Sequence, residues 1–118
     1  MIYVKINDTL RPATIAGKVS DAEWDGRSSK SITMEMSYEE ASTLFVDGLE
    51  WKIAVIDEIP LLDDHGEVVD VDIREAEFDN SDYNIAGDIT DHRDGTVTVK
   101  MGCLTALEEA YEMLLGGI

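Results

Sequence analysis

Residues 68–78 read Val-Val-Asp-Val-Asp-Ile-Arg-Glu-Ala-Glu-Phe. A chain that alternates apolar and polar residues with period two is a strand with one buriable face, here Val69, Val71 and Ile73, set against Asp70, Asp72 and Arg74. The same rhythm recurs along the sequence. Ile2, Val4 and Ile6 share a side before the turn residues Asn-Asp-Thr, and residues 13–20 form a second run in which Gly17 marks a bulge. Residues 31–37 place Ile32, Met34 and Met36 inward, and residues 49–59 place Trp51, Ile53 and Val55 on one face. Residues 60–67 read as a turn. Two further runs, 83–90 and 96–101, flank Asp94-Gly95, a pair that marks a tight hairpin and sends Val97, Val99 and Met101 to the core. Residues 21–30 are polar and turn-rich, which predicts an exposed loop carrying Trp24.

Two segments break the rhythm. Ser37-Tyr38-Glu39-Glu40 and Thr105-Ala106-Leu107-Glu108 are capping boxes, each opening a short amphipathic helix. The first presents Tyr38, Ala41, Leu44 and Phe45 and stops at Asp47-Gly48; the second presents Leu107, Ala110, Tyr111 and Leu114 and stops at Gly116 and Gly117. About seven strands, hairpin-length connections and no βαβ alternation predict an α+β fold. It is mainly antiparallel β, a small barrel or sandwich with two short helices, in one domain over residues 1–118.

Composition agrees and excludes. At 118 residues and 44% apolar content the chain can bury a core without a metal or a disulfide. Cys103 stands alone, so a disulfide-stapled secreted scaffold is excluded and a reducing folding site is expected. No charged leader precedes an apolar run, and nothing approaches the ~20 apolar residues of a membrane span, so a soluble, unanchored protein is expected. The net charge of −17 is uneven: residues 1–36 hold five acids and five bases, residues 57–94 fourteen acids and two bases. Nucleic-acid and anionic-membrane binding draw on clustered lysine and arginine, so neither is expected.

Residues 79–102 concentrate acids, one histidine, one arginine and three glycines, the look of an active loop. Asp88, Asp91 and Asp94 are spaced by three, whereas a calcium loop needs oxygen ligands at alternate positions and a closing glutamate. Zinc needs several nitrogen or sulfur ligands, and His65, His92 and Cys103 lie far apart in the sequence. Twenty-six acids allow too many pairings for any one to signal acid–base catalysis, and the nucleophile elbow, phosphate loop and zinc-protease motifs are absent. No enzyme activity, metal or cofactor is expected.

Residues 1–36, with their strand-like start and the Arg-Ser-Ser-Lys-Ser-Ile-Thr passage, together with the acidic hairpin of 79–102, carry a resemblance. The chain resembles a group of small uncharacterised prophage proteins of Gram-positive gut bacteria, of the tail and baseplate region. That family has no assigned activity, so no catalytic or binding residue is carried over. The resemblance implies a virion or virion-assembly component that works through contacts with other phage structural proteins or with itself, in the host cytoplasm during assembly and then in the particle. A neutral first third and an acidic middle suit head-to-tail docking into a ring. The candidate contacts are Trp24, Arg27 and Lys30 on the neutral part and Asp70, Asp72, Asp88, Asp91 and Asp94 on the acidic part. The alternative is an acidic DNA mimic that inhibits a host defence nuclease, its charged row beginning at Asp70 and Asp72.

Overall fold

Two four-stranded antiparallel sheets face each other across one core in residues 1–116, the part of the chain that the computed structural model describes. Gly117, the second glycine expected to end the last helix, lies outside the described residues. The first sheet runs in the order β2 (Thr9–Pro12), β1 (Ile2–Ile6), β5 (Lys52–Leu62), β6 (Val68–Asp79). The second runs β3 (Thr14–Asp21), β4 (Arg27–Glu35), β8 (Thr96–Gly102), β7 (Ile85–Asp91). A 3₁₀ turn at Ala22–Trp24 joins β3 to β4, and helices α1 (Tyr38–Leu44) and α2 (Ala106–Gly116) complete the chain. The mainly antiparallel β fold is as expected; among the described residues the strands number eight, and the sheets do not close into a barrel.

The additional strand is β2. Asn7 and Asp8 both take left-handed backbone, with φ of 50° and 65°, and form a two-residue turn that folds Thr9–Pro12 back along β1. Turns of this hand match the twist of the strands they join. Pro12, which lacks a donor, is tolerated because β2 is an edge strand. Only Ala13 separates β2 from β3, so the chain passes from one sheet to the other within a single residue.

Core residues come from both sheets. Val4 and Ile6 of the first join Ile32, Met34, Val97, Val99 and Met101 of the second, and Met36, Ala41, Phe45 and Trp51 fill one side. Each inward residue of β8 named from the alternation is fully buried. The Trp51 indole N–H donates to the Tyr83 carbonyl at 2.9 Å, so this large ring enters the core without an unpaired donor. At α1, Ser37 accepts from the Glu40 amide at 3.1 Å as the capping box requires, while the Glu40 carboxylate turns to Arg11 at 3.0 Å.

The β5–β6 ribbon departs furthest from expectation. Residues 60–62, read from sequence as turn, continue β5, and Pro60 pairs with Val71. Pro60 lies past Val55, the last β5 residue in register with β1, so β5 has itself become an edge there and loses no ladder bond to proline. Ile32→Ala, in the core, is expected to cost ~2–5 kcal/mol. Ile73→Ala, on the ribbon, is expected to stay within about 0.5 kcal/mol in dilute solution. Urea denaturation of the two variants checks both.

Candidate functional site

The ribbon outruns the sheet that anchors it. Met1 and Ile56 exchange backbone hydrogen bonds at 2.9 and 3.0 Å, and beyond them β5 and β6 continue as a two-stranded arm closed by Asp63–Gly66. The turn is held by the Asp63 carboxylate, which accepts from the amides of His65 at 2.8 Å and Glu67 at 3.0 Å. Six residues of β5 past Ile56 amount to roughly 20 Å of projection. The molecule measures 67 × 37 × 27 Å, with a radius of gyration of 18.2 Å. A compact domain of this length would have about 13–14 Å.

Facing partners in an antiparallel pair share a face, so register sorts the arm's side chains. Pro60 with Val71 and Leu62 with Val68 form an apolar face, on which Ile73 lies opposite Glu58, with Val69 the extra residue of a bulge. The other face alternates Ile59 and Leu61 with Asp70 and Asp72. The period-two reading of β6 therefore holds at Val71 and Ile73, the bulge takes Val69 out of register, and the apolar side is not covered. Val69 is 65% exposed and Ile73 63%. Residues 57–75 also carry eight acids against the single base Arg74.

Helix α2 is the second uncovered apolar surface. Its capping box is complete: Thr105 Oγ1 accepts from the Glu108 amide at 3.2 Å, and a Glu108 oxygen accepts from the Thr105 amide at 2.9 Å. The stripe that the box opens, Leu107, Tyr111 and Leu114, lies in solvent at 64–81% exposure. What fastens the helix is polar. Arg27 donates through both terminal nitrogens to Glu108, at 2.7 and 3.0 Å, and to the Cys103 carbonyl at 2.8 Å. The Arg27 pair and the Thr105 amide hold the Glu108 carboxyl down at a pKa of about 2.

The candidate contact residues read from the sequence fall into two groups. Trp24, expected in an exposed loop, lies half-buried against Gly87 and Gly102, where a methyl group would come within 2.8 Å of the indole. Arg27 is buried and stacks over that ring at 4.9 Å. Lys30 donates to the buried Asn80 side chain and sits 4.5 Å over the Tyr83 ring. Nearby, Lys100 donates to Asp21 at 2.7 Å, and Ser29 to the same carboxylate at 3.3 Å. The Lys100 ammonium holds the Asp21 pKa below the ordinary carboxylate range even though burial opposes it. Asp21, Arg27 and Ser29 of the expected loop of 21–30 thus belong to a buried polar seam, with β4 beginning at Arg27, while residues 22, 23, 25 and 26 are exposed as expected. Gly87 and Gly102 were the sequence signal for the seam, two glycines in strands that leave room for a ring.

The acids stay outside. Asp70 accepts from the Val71 amide at 2.8 Å, Asp72 from Arg74 at 3.3 Å, and Asp88 is exposed on β7. Asp91 and Asp94 shape the β7–β8 turn by accepting from the amides of Arg93 and Thr96, both at 2.9 Å. Among the described residues no three histidine, cysteine or acidic side chains converge in a metal-holding group. The surface depressions are open, one of them formed between Asp25–Ser28 and Cys103–Glu108 at the start of α2. No helix of the described residues is long and apolar enough to cross a membrane. No family model matches the chain, and no curated protein or solved structure is significantly similar to it.

Two outcomes follow from the seam. Gly102→Ala places a methyl group 2.5 Å from Arg27 Cδ and 2.8 Å from the Trp24 ring, and is expected to lower stability by ~1–3 kcal/mol in urea titration. Glu108 has a folded pKa below its ordinary 4.5, so its contribution is whole above pH 4.5 and is lost as pH falls toward about 2. Carboxyl-carbon NMR should show Glu108 titrating near pH 2, with α2 released between pH 4.5 and that point.

Proposed function

We propose that this protein is a non-enzymatic assembly component of a phage tail or baseplate that acts through protein–protein contacts. One observation carries the reading. Twelve of the nineteen large apolar side chains exposed in the described residues lie on the β5–β6 arm and α2. Scattered exposed apolar residues are ordinary, but a contiguous apolar surface on a projecting element is characteristic of an interface. The acids on the arm keep such a surface in solution until it is covered. The phage assignment comes from the resemblance of residues 1–36 and 79–102, and places the protein in the host cytoplasm during assembly and then in the particle.

The contacts are not those of a charged front. Lys5 pairs with Glu77, Arg11 with Glu40 and Arg27 with Glu108, and Lys30 is engaged by Asn80, so the neutral part of the chain presents little free positive charge to a neighbour's acids. The DNA-mimic alternative is less well supported. On the arm, Asp70 and Asp72 share their face with Ile59 and Leu61, and Asp72 is partly neutralised by Arg74. That row is short, apolar and interrupted.

Mass spectrometry of purified phage particles produced by a host that carries the gene tests the reading. The expected outcome is recovery of this chain in fixed proportion to the other virion proteins. Recovery from infected cells but never from particles would remove the tail assignment.

A further inference from the structure

Helix α2 has little of its own to keep it helical. It spans 11 residues, below the roughly 12–15 at which an isolated helix holds its shape in water. Its acids work against it: Glu112 lies four residues from Glu108 and three from Glu109, and no base occupies the last turn. Burial does not make up the difference. A helix in a protein draws most of its stability from an apolar face packed on a neighbour, yet of residues 106–115 all but Glu108 are exposed.

What remains is the first turn. Thr105 and Glu108 satisfy each other's amides, a contribution confined to the helix itself. Among the hydrogen bonds and ion pairs of the described residues, the Glu108 carboxylate alone ties a side chain of α2 to the body, through the two terminal nitrogens of Arg27. The two partners are unequal. Arg27 is buried on β4 and stacked on the Trp24 ring, so its position is fixed, whereas the carboxylate belongs to a segment that nothing else holds. A two-pronged arginine–carboxylate pair is strong for its size and specific in geometry. Dependence runs both ways. Arg27 Nε has no acceptor, so without Glu108 the guanidinium keeps only the Cys103 carbonyl, and a buried cation so short of partners is costly.

We infer that Arg27 and Glu108 form a latch that decides whether α2 is a helix at all. Latched, Leu107, Tyr111 and Leu114 follow four-and-three spacing and align as one stripe. Unlatched, they scatter along a coil and the stripe ceases to exist. An ion pair rooted in the body thus switches an apolar surface on and off while the two sheets keep their arrangement. The device does not depend on what the stripe touches.

Hydrogen exchange of the full chain, read at the amides of residues 109–115, tests the latch. Glu108→Gln keeps an oxygen for the capping box and removes the charge that Arg27 holds. Glu109→Gln removes the same charge one residue along, at an exposed side chain. Thr105→Ala removes the cap and leaves the carboxylate to Arg27. Protection in Glu108→Gln is expected to fall about tenfold or more, in Thr105→Ala by less, and in Glu109→Gln hardly at all. Arg27→Met is expected to release the helix as Glu108→Gln does, and the double variant no further, because both changes remove one interaction. Protected β8 amides in every variant separate release of the helix from unfolding. Full protection in Glu108→Gln, an equal loss in Glu109→Gln or Thr105→Ala, or additive losses in the double variant would overturn the inference. So would a wild type already unprotected over residues 109–115.

Discussion

Val4 and Ile6 from one sheet pack into a single cluster with Ile32, Val97 and Val99 from the other, and this cross-sheet contact turns two antiparallel ribbons into a folded body. Its strength is hydrophobic and proportional to area, so it depends on the alternation of each strand being in phase with its neighbours. The single-residue passage at Ala13 sets that phase, because it carries the chain from the first sheet into the second with no slack for a register shift. Helix α1, through Ala41 and Phe45, then closes one side of the cluster. The core reaches only part of the way along the molecule. The rest of the apolar sequence lies on an arm and a helix that it does not touch.

Polar interactions do the fastening where the core ends. Asp21, Ser29 and Lys100 form one largely buried group, and the buried Arg27 meets the part-exposed Glu108 and the Cys103 carbonyl in another, with the Trp24 ring over both Arg27 and Lys100. Burying a charge is costly unless a partner satisfies it. Both carboxylates have lowered pKa values, the expected sign for ion pairs that outweigh the desolvation opposing them. Packing a ring onto the outer face of a sheet also needs room, which Gly87 and Gly102 provide. The result joins residues some eighty positions apart in the chain and positions α2 with its apolar stripe outward.

Much of the framework was legible from local pattern. The alternation in β1, β4 and β8 identified Val4, Ile6, Ile32, Met34, Val97, Val99 and Met101 as buried, though it also named Ile2, which is exposed at the strand's start. Both capping boxes opened helices, because these signals depend on neighbours in sequence. Three features were not legible. The strand at Thr9–Pro12 has four residues and ends in proline, too short for periodicity to register, although Asn7-Asp8 is a turn that left-handed backbone makes possible. Arg27 and Lys30 read as exposed because their sequence neighbours are polar; their partners Glu108 and Asn80 are distant in sequence. The alternation at residues 68–78 identified an apolar side correctly and gave no indication that nothing in the same chain covers it. Periodicity reports which side of a strand is apolar, and only tertiary structure reports what lies opposite.

The ribbon beyond Ile56 has a further mechanical consequence. Two strands without a third, or a layer beneath, are marginal in water, and their hydrogen bonds open locally without disturbing the body that anchors them. The chain is therefore stiff at its core and compliant along its apolar tip. Compliance lets the tip adjust its twist to the surface it meets, at the expense of ordering entropy when it does. In the proposed assembly role, such a tip would complete its ordering only once it is covered.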